Sequence, residues 1–439
     1  ISDDLNSLGL ATSNPEALGS AAEWALQGVF YRLSYDYKDK YLLEVNGRYD
    51  GTSRFPEEER WGFFPSVSGG WLINKENFFS SLTDTFNLVK LRASYGSLGN
   101  QEVANYAYIP TLRKNIDGNF ALNGRTLDYI AAPGLNPREI SWEEVKTIDV
   151  GTDIALFNND VNITFDWFQR NTKGMLTQGA TLPSVLGTGS PQENAADLRA
   201  RGFELSIGYH HSFEVAKSPL NFGIEGNLSN SVTEITKFDN PNNSLLDYYE
   251  GMTIGELWGY HVDGLFQTQD EITGHADQTR VSNRIIANGG LQLGDVRYVD
   301  LNGDGVIDEG ENTLQDSGDR RKIGNTAPQY LYSFRVNAAW KGFDVSAFFQ
   351  GVGKQDWYPN GDSRIFWAMY NRPYDTFIHK DLVNNIWSPD NREAYFPRLF
   401  GYIALSDSDA LGAVNDRYLQ SVAYLRLKNL SLGYTIPKR

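Results

Sequence analysis

Runs of about ten residues in strict apolar–polar alternation, each ended by a turn, recur along this chain and restrict it to a β fold. Val161-Asn-Ile-Thr-Phe-Asp-Trp-Phe-Gln169 is the clearest run. Successive side chains of a strand point to opposite faces, so Val161, Ile163, Phe165 and Trp167 share one face. Asn162, Thr164, Asp166 and, further on, Arg170 share the other. A soluble sandwich buries its apolar face. A transmembrane barrel turns that face to lipid and keeps the charged face toward a wet lumen.

The same rhythm runs from end to end. Val29, Tyr31, Leu33, Tyr35 and Tyr37 oppose Arg32, Ser34 and Asp36; after a Lys38-Asp39-Lys40 turn, Tyr41, Leu43, Val45 and Tyr49 oppose Glu44, Asn46 and Arg48. Further strands are predicted around Phe63–Ile73, Val89–Tyr95, Ile148–Leu156, Phe203–Tyr209, Phe222–Leu228, Tyr330–Trp340 and Phe343–Phe349. The last is Leu425–Ile436, where the phase slips at Asn429 and predicts a bulge. Short turns alternate with long polar stretches. One covers Asn100, Asn115, Gly118 and Pro133, a second covers 239–327, and a third carries Trp357, Trp367, Trp387 and Pro397. About eleven strands with long loops at one end predict a transmembrane antiparallel β-barrel, with extracellular loops and short periplasmic turns. No amphipathic helix is apparent.

Composition narrows the functional classes. The chain has 439 residues, no cysteine and a net charge of -16, so phosphate repulsion argues against nucleic acid as a partner. Without cysteine there is no disulfide scaffold and no thiolate metal site. No run of eighteen apolar residues is present, and barrels escape that search because half of each strand is polar. The chain does not begin with Met, and Ile1–Ser20 reads as loop. It therefore reads as an internal piece of a longer protein, a partial barrel over residues 1–439 truncated at both ends.

One motif is chemically sharp. Asp300-Leu-Asn-Gly-Asp-Gly-Val-Ile-Asp-Glu-Gly-Glu311 fits the twelve-residue calcium loop at every position. Asp300, Asn302 and Asp304 offer side-chain oxygens, Gly305 permits the sharp turn, and Val306 offers its carbonyl. Asp308 acts directly or through water, and Glu311 closes the set with two oxygens. Asp295–Val299 before it reads as extended, so a structural Ca2+ clip in a long loop is expected rather than a helix-flanked sensor.

No Walker A, HExxH, G-x-S-x-G or dinucleotide fingerprint occurs, and an enzyme is not expected. Glu57-Glu58-Glu59 and Glu143-Glu144 read as solvated or lumen-facing charge. His210 and His211 are adjacent in a strand, face opposite ways and cannot chelate together. Aromatic residues crowd the long loops, among them Trp258, Tyr260, Trp357, Tyr358, Trp367 and Tyr370. Trp357, Tyr358 and Trp367 sit where a strand gives way to its loop. They are the candidates to stack on cargo, with loop packing as the alternative.

Several stretches resemble the SusC/RagA family. Tyr41-Leu-Leu-Glu-Val-Asn-Gly-Arg-Tyr-Asp-Gly-Thr-Ser-Arg-Phe55, Gly62-Phe-Phe-Pro-Ser66 and Gly69-Gly-Trp71 carry the likeness. So do Leu91-Arg-Ala-Ser-Tyr-Gly96, Gly99-Asn-Gln101, Ile148-Asp-Val-Gly-Thr-Asp153, Gly294–Gly305 and Tyr424–Tyr434. The resemblance implies TonB-dependent transporters of the bacterial outer membrane, with a 22-stranded barrel around an N-terminal plug. A SusD-like surface lipoprotein would close the barrel from outside, and the cargo would be oligosaccharide or peptide. The plug and TonB box have no counterpart in this chain. The expected function is the C-terminal barrel part of an active importer of oligomeric nutrients. Two alternatives stand beside it: a passive porin, and a secreted or surface glycan-binding β-protein with structural calcium.

Overall fold

The computed structural model describes residues 9–10, 17–18, 21–110, 114–122, 125–130, 134–136, 140–287, 289–359, 363–370, 379–401, 405 and 410–436. Most of the loop expected over Ile1–Ser20 lies outside these, as does Pro133; within it Gly9–Leu10 pairs antiparallel with Ala17–Leu18. Eleven strands form one antiparallel sheet: β1 Leu26–Tyr37, β2 Tyr41–Thr52, β3 Trp61–Leu72, β4 Phe86–Asn100, β5 Glu143–Leu156 and β6 Val161–Gln178. The sheet continues through β7 Gln192–Val215, β8 Ser218–Phe238, β9 Gln329–Trp340, β10 Phe343–Lys354 and β11 Tyr424–Tyr434. Each strand pairs with its neighbour in this numbering, so the sheet is a pure meander.

Register places the outward faces side by side. Ile163 lies between Ile154 of β5 and Ile207 of β7, and Trp167 between Val150 and Phe203. These side chains form no interior of their own; Val150, Phe165, Trp167 and Ile207 are all exposed, as lipid contact requires. Aromatic residues gather at the two ends of this band. At the short-turn end Tyr41 stacks on Trp71 and Phe343 meets Tyr434; at the other end Tyr49 stacks on Trp61. Such paired girdles mark the two membrane–water interfaces.

The opposite face is polar and carries its charges in pairs. Arg92 Nε lies 2.9 Å from Asp153 Oδ2, and its Nη2 lies 2.9 Å from Asp166 Oδ1. His210 and His211 do face apart, one toward Glu225 and the other toward Asp160.

Tight turns close the short end. Ala216 and Lys217 both hold positive φ, as do Lys341 and Gly342 at +49° and +85°. Two positive φ angles define the type I′ hairpin, whose twist matches the flanking strands, and glycine is its usual second residue. The phase slip expected at Asn429 is a bulge: Phe348 pairs with Asn429 and Phe349 with Leu427, leaving Lys428 unpaired.

Three features depart from the sequence reading. First, β6, β7 and β8 run for 18, 24 and 21 residues. A tilted strand crosses a bilayer in about 9–11 residues. Above the headgroup layer both faces meet water, so pairing persists while alternation does not. Second, the polar stretch after Asn100 holds a hairpin, Lys114–Leu122 with Arg125–Ile130. Third, short helices occur at Gln269–Thr273 and Thr279–Ala287. The first is opened by a capping box in which Thr268 Oγ1 accepts from Glu271 N and the Glu271 carboxylate accepts from Thr268 N.

Ile163→Arg should destabilise the folded barrel by about 2–4 kcal/mol if position 163 lies near the bilayer midplane, and by less toward the interface. Thr164→Ala, one residue on and facing the lumen, should cost far less. Urea titrations of the protein in lipid vesicles compare the two, and equal losses would reverse the assignment of faces.

Candidate functional site: a lobe built from two long loops

Both of the longest connections, 239–328 between β8 and β9 and 355–423 between β10 and β11, emerge at the same end of the sheet. They fold into one lobe with a shared apolar core. Tyr260, Val262, Leu265, Val281, Val296, Tyr298 and Ile307 come from the first, and Trp367, Tyr370, Phe396, Leu411, Ala413 and Tyr418 from the second. Two small ladders frame the first segment: Glu256–Tyr260 with Arg320–Asn325, and Val262–Leu265 with Val296–Tyr298. At the root, Asp356–Trp357 pairs with Gln420–Ser421, and Asp356 Oδ2 accepts from Asn325 N at 2.9 Å.

A carboxylate knits the two loops. Asp416 accepts from the His261 ring, from Val262 N at 3.0 Å and from Arg321 Nη2 at 3.0 Å. Around it, Tyr260 N donates to Val414 O and Asp416 N to Tyr260 O. Burial pushes the Asp416 carboxyl up, but these bonds outweigh it and hold it below the usual aspartate range. A second cross-link is Arg398 to Asp295, whose Oδ1 lies 2.7 Å from Arg398 Nε. There burial dominates and the Asp295 carboxyl is raised.

The three aromatic candidates separate by environment. Trp357 is exposed at the lobe's root. Tyr358 is partly buried, and its hydroxyl contacts the carbonyls of Leu411 and Ala413. Trp367 is fully enclosed, with its indole N–H donating to Pro359 O at 2.8 Å. Its ring meets Phe396 and Tyr418 edge-on, so its role is packing and it offers no stacking face.

The Asp300–Glu311 segment is a tight loop held by its own side chains. Asp300 accepts from Gly303 N and Gly305 N, Asn302 from Asp304 N, and Asp304 from Val306 N. Gly305 takes the +86° φ that the sixth position demands. Ile307, buried in the lobe core, donates its N–H to Asp277 O, and Gly305 O accepts from Asp277 N. The closing position differs from expectation. Glu311 is exposed, while Asp319, fully buried, accepts from Leu301 N, Asn302 N and Asp308 N. Arg280 lies 3.0 Å from Asp308. Among the described residues no three acidic or histidine side chains converge as metal ligands. The first three side chains nonetheless keep free lone pairs, since a carboxylate oxygen accepts more than one bond. No spacing rule in the sequence points to Asp319; only the folded loop does.

The other acidic clusters stay apart. Glu57–Glu59 forms a single 3-10 turn, and Glu144 pairs with Lys146 at 2.9 Å.

A lipid-facing meander with two aromatic girdles, a charged inner face and a folded lobe at one mouth is the wall of an outer-membrane β-barrel receptor. The family model described as "TonB dependent receptor-like, beta-barrel" matches residues 3–438, and the chain belongs to that family. It is 28% identical over 446 residues to TonB-dependent receptor P3 of Formosa agariphila, covering 98% of this chain and 40% of that one. It is 24% identical over 421 residues to TonB-dependent receptor SusC of Bacteroides thetaiotaomicron, covering 96% and 39%. Among solved structures, that of the RagAB peptide transporter aligns with a TM-score of 0.71 at 23% identity, covering 99% of this chain and 44% of that one. The chain thus spans about two fifths of the length of the curated relatives it matches.

Because the Asp416 carboxyl is lowered in the fold, its contribution is present above the unfolded pKa and is lost as pH falls through the folded one. The stability difference between wild type and Asp416→Asn should be full above about pH 5 and vanish well below the ordinary aspartate value of about 3.9. Protease sensitivity of the lobe as a function of pH measures it, and a difference constant across that range would remove Asp416 as the clamp.

Proposed function

We propose that this chain supplies wall and extracellular lobe to an active importer of oligomeric nutrients, energised through TonB. Family membership carries the reading, together with a lobe built at one mouth of a polar lumen. A passive porin fits less well, because two long loops with a common core are more than an open mouth needs. The cargo class we propose is oligosaccharide or peptide, and a SusD-like surface lipoprotein is the partner that would close over the lobe. Leu246 and Leu314 favour that partner: both are exposed, and Leu245 N–Asn312 O and Leu314 N–Asn243 O bonds bring their segments together.

Uptake by cells carrying the full-length protein tests the reading. Trp357→Ala should lower uptake without changing barrel stability, whereas Trp367→Ala should destabilise the lobe by about 3–5 kcal/mol. Paired Leu246→Asp and Leu314→Asp should cut recovery of the lipoprotein on purification. Unchanged uptake and unchanged recovery would defeat the proposal.

We further propose that the Asp300 loop takes a structural calcium ion through Asp300, Asn302, Asp304, the Val306 carbonyl, Asp308 and Glu311. The spacing and the +86° φ at Gly305 support this. Binding would require Glu311 to turn in and Asp308 to exchange Arg280 for the ion. Calcium should slow amide exchange across 300–319, and Asp300→Ala should abolish the effect. Identical exchange with calcium and with chelator in the wild type would rule the site out.

A further inference from the structure

The chain carries a net charge of -16, yet one part of its outer wall is positive. Outward positions follow the register upward from the lipid-facing row Val150, Trp167 and Phe203. The next outward row holds Ile148, Gln169 and Arg201, and the row above it holds Lys146, Asn171 and Arg199. Lys173 stands one row higher, opposite Glu144. Among the described residues, four cations on β5, β6 and β7 therefore meet three outward carboxylates: Glu144, Glu234 and Asp197, the last accepting from Gly174 N at 2.9 Å.

Those carboxylates do not silence the patch. Lys146 Nζ lies 2.9 Å from Glu144, and Arg199 Nη2 lies 2.7 Å from Glu234. Ion pairs this exposed contribute little and exchange readily. Among the described residues Arg201 has no carboxylate partner: its Nε donates to Gln169 Oε1 at 2.8 Å, and the residue is exposed, as is Lys173.

Depth decides the partner. Two residues along a strand advance about 6–7 Å, less when the strand is tilted. A polar headgroup layer is roughly 5–8 Å deep beyond the hydrocarbon. With the Trp167 row taken as the upper edge of the hydrocarbon, Arg201 falls within the headgroup layer, and Arg199 and Lys146 fall at its outer edge. The patch is continuous with the lipid-facing belt beneath it, so whatever it binds can seat acyl chains on Trp167 and Phe203 at the same time.

We propose that Lys146, Arg199 and Arg201, supported by Lys173, bind the phosphate of an anionic glycolipid headgroup in the outer leaflet. Arginine and lysine suit phosphate through charge-assisted hydrogen bonds, and each basic group near an anionic membrane surface contributes about 1 kcal/mol. The site lies on the lipid side of the wall, away from the lumen, and serves retention of a specific lipid.

The test titrates the full-length protein in detergent with monophosphoryl lipid A and reads bound lipid by native mass spectrometry. Each cation removed should weaken capture about fivefold, so K146Q/R199Q/R201Q should bind about a hundredfold less. R335Q, which removes a charge from the lumen face, should bind as wild type does. Dephosphorylated lipid A should bind wild type and triple variant alike, and equimolar inorganic phosphate should not compete, because it lacks the acyl chains. Retained capture by the triple variant overturns the proposal. So does equal binding of dephosphorylated lipid and monophosphoryl lipid A to wild type. Competition by free phosphate rejects lipid as the source, and loss of lipoprotein recovery with lipid capture intact makes the patch a protein interface instead. Heat-modified gel mobility confirms that each variant is folded. Should the triple variant fail that check, R201Q carries the same test at fivefold.

Discussion

A bilayer core offers the backbone no hydrogen-bonding partner, and that single deficit dictates the architecture. Each unsatisfied N–H or C=O in hydrocarbon costs several kcal/mol, so a spanning strand must be paired along both edges. An eleven-strand meander meets the demand for its nine inner strands through successive antiparallel ladders. Even the local irregularity is accommodated: at the bulge near Phe348 the ladder resumes after one unpaired residue, Lys428. Side-chain chemistry then follows the face. Outward positions hold Ile154, Ile163 and Ile207 in one row, while inward charges such as Arg92 sit beside carboxylates, because lumen water and nearby counter-charges make ionisation tolerable there.

Above the membrane this demand lapses, and a different one replaces it. Strands β6 to β8 continue well past the girdle because water-exposed ladders remain sound, but the long loops leaving β8 and β10 must hold themselves up. Each supplies about half of one apolar core. Tyr298 and Ile307 from one loop share that core with Trp367 and Tyr418 from the other. The loops are thus conditional on each other, which explains why the polar links lie at their junction. Asp416 gathers a ring nitrogen, a backbone amide and a guanidinium from the first loop, and Asp295 receives Arg398 from the second.

The wall was legible in the sequence because period-two alternation is a direct consequence of lipid on one side and water on the other. All eleven strand cores, the break between Trp340 and Phe343 and the slip near Asn429 could be located from that pattern. Where water lies on both sides the pattern dissolves, and the upper halves of β6 to β8 carry no such mark. The lobe was harder still. Its short helix at Gln269 announces itself through Thr268 and Glu271, a local signal. Its core depends on contacts between residues more than a hundred positions apart, such as Tyr298 with Tyr418, for which spacing gives no cue. Asp319 is the plainest case: an acidic residue in a loop reads as solvated, yet it is enclosed and holds three amides of the calcium-type loop.

Aromatic residues show why composition alone could not locate a site. The same residue types do three jobs here, separated only by height. Tyr41, Trp71, Tyr49 and Trp61 lie in the girdles, where an amphipathic ring suits the interface. Trp367, Tyr370 and Tyr418 are interior, and burial raises the phenols of the two tyrosines. Trp357 alone of the three candidates stands open, at the junction of lobe and wall. A ring already packed edge-on against two others cannot also present a face to cargo, so a surplus of aromatics reports a membrane and a core before it reports a ligand. Under the proposed function, cargo would meet the few rings left exposed near the mouth and the polar groups of the loops, with the buried rings keeping those loops in one shape.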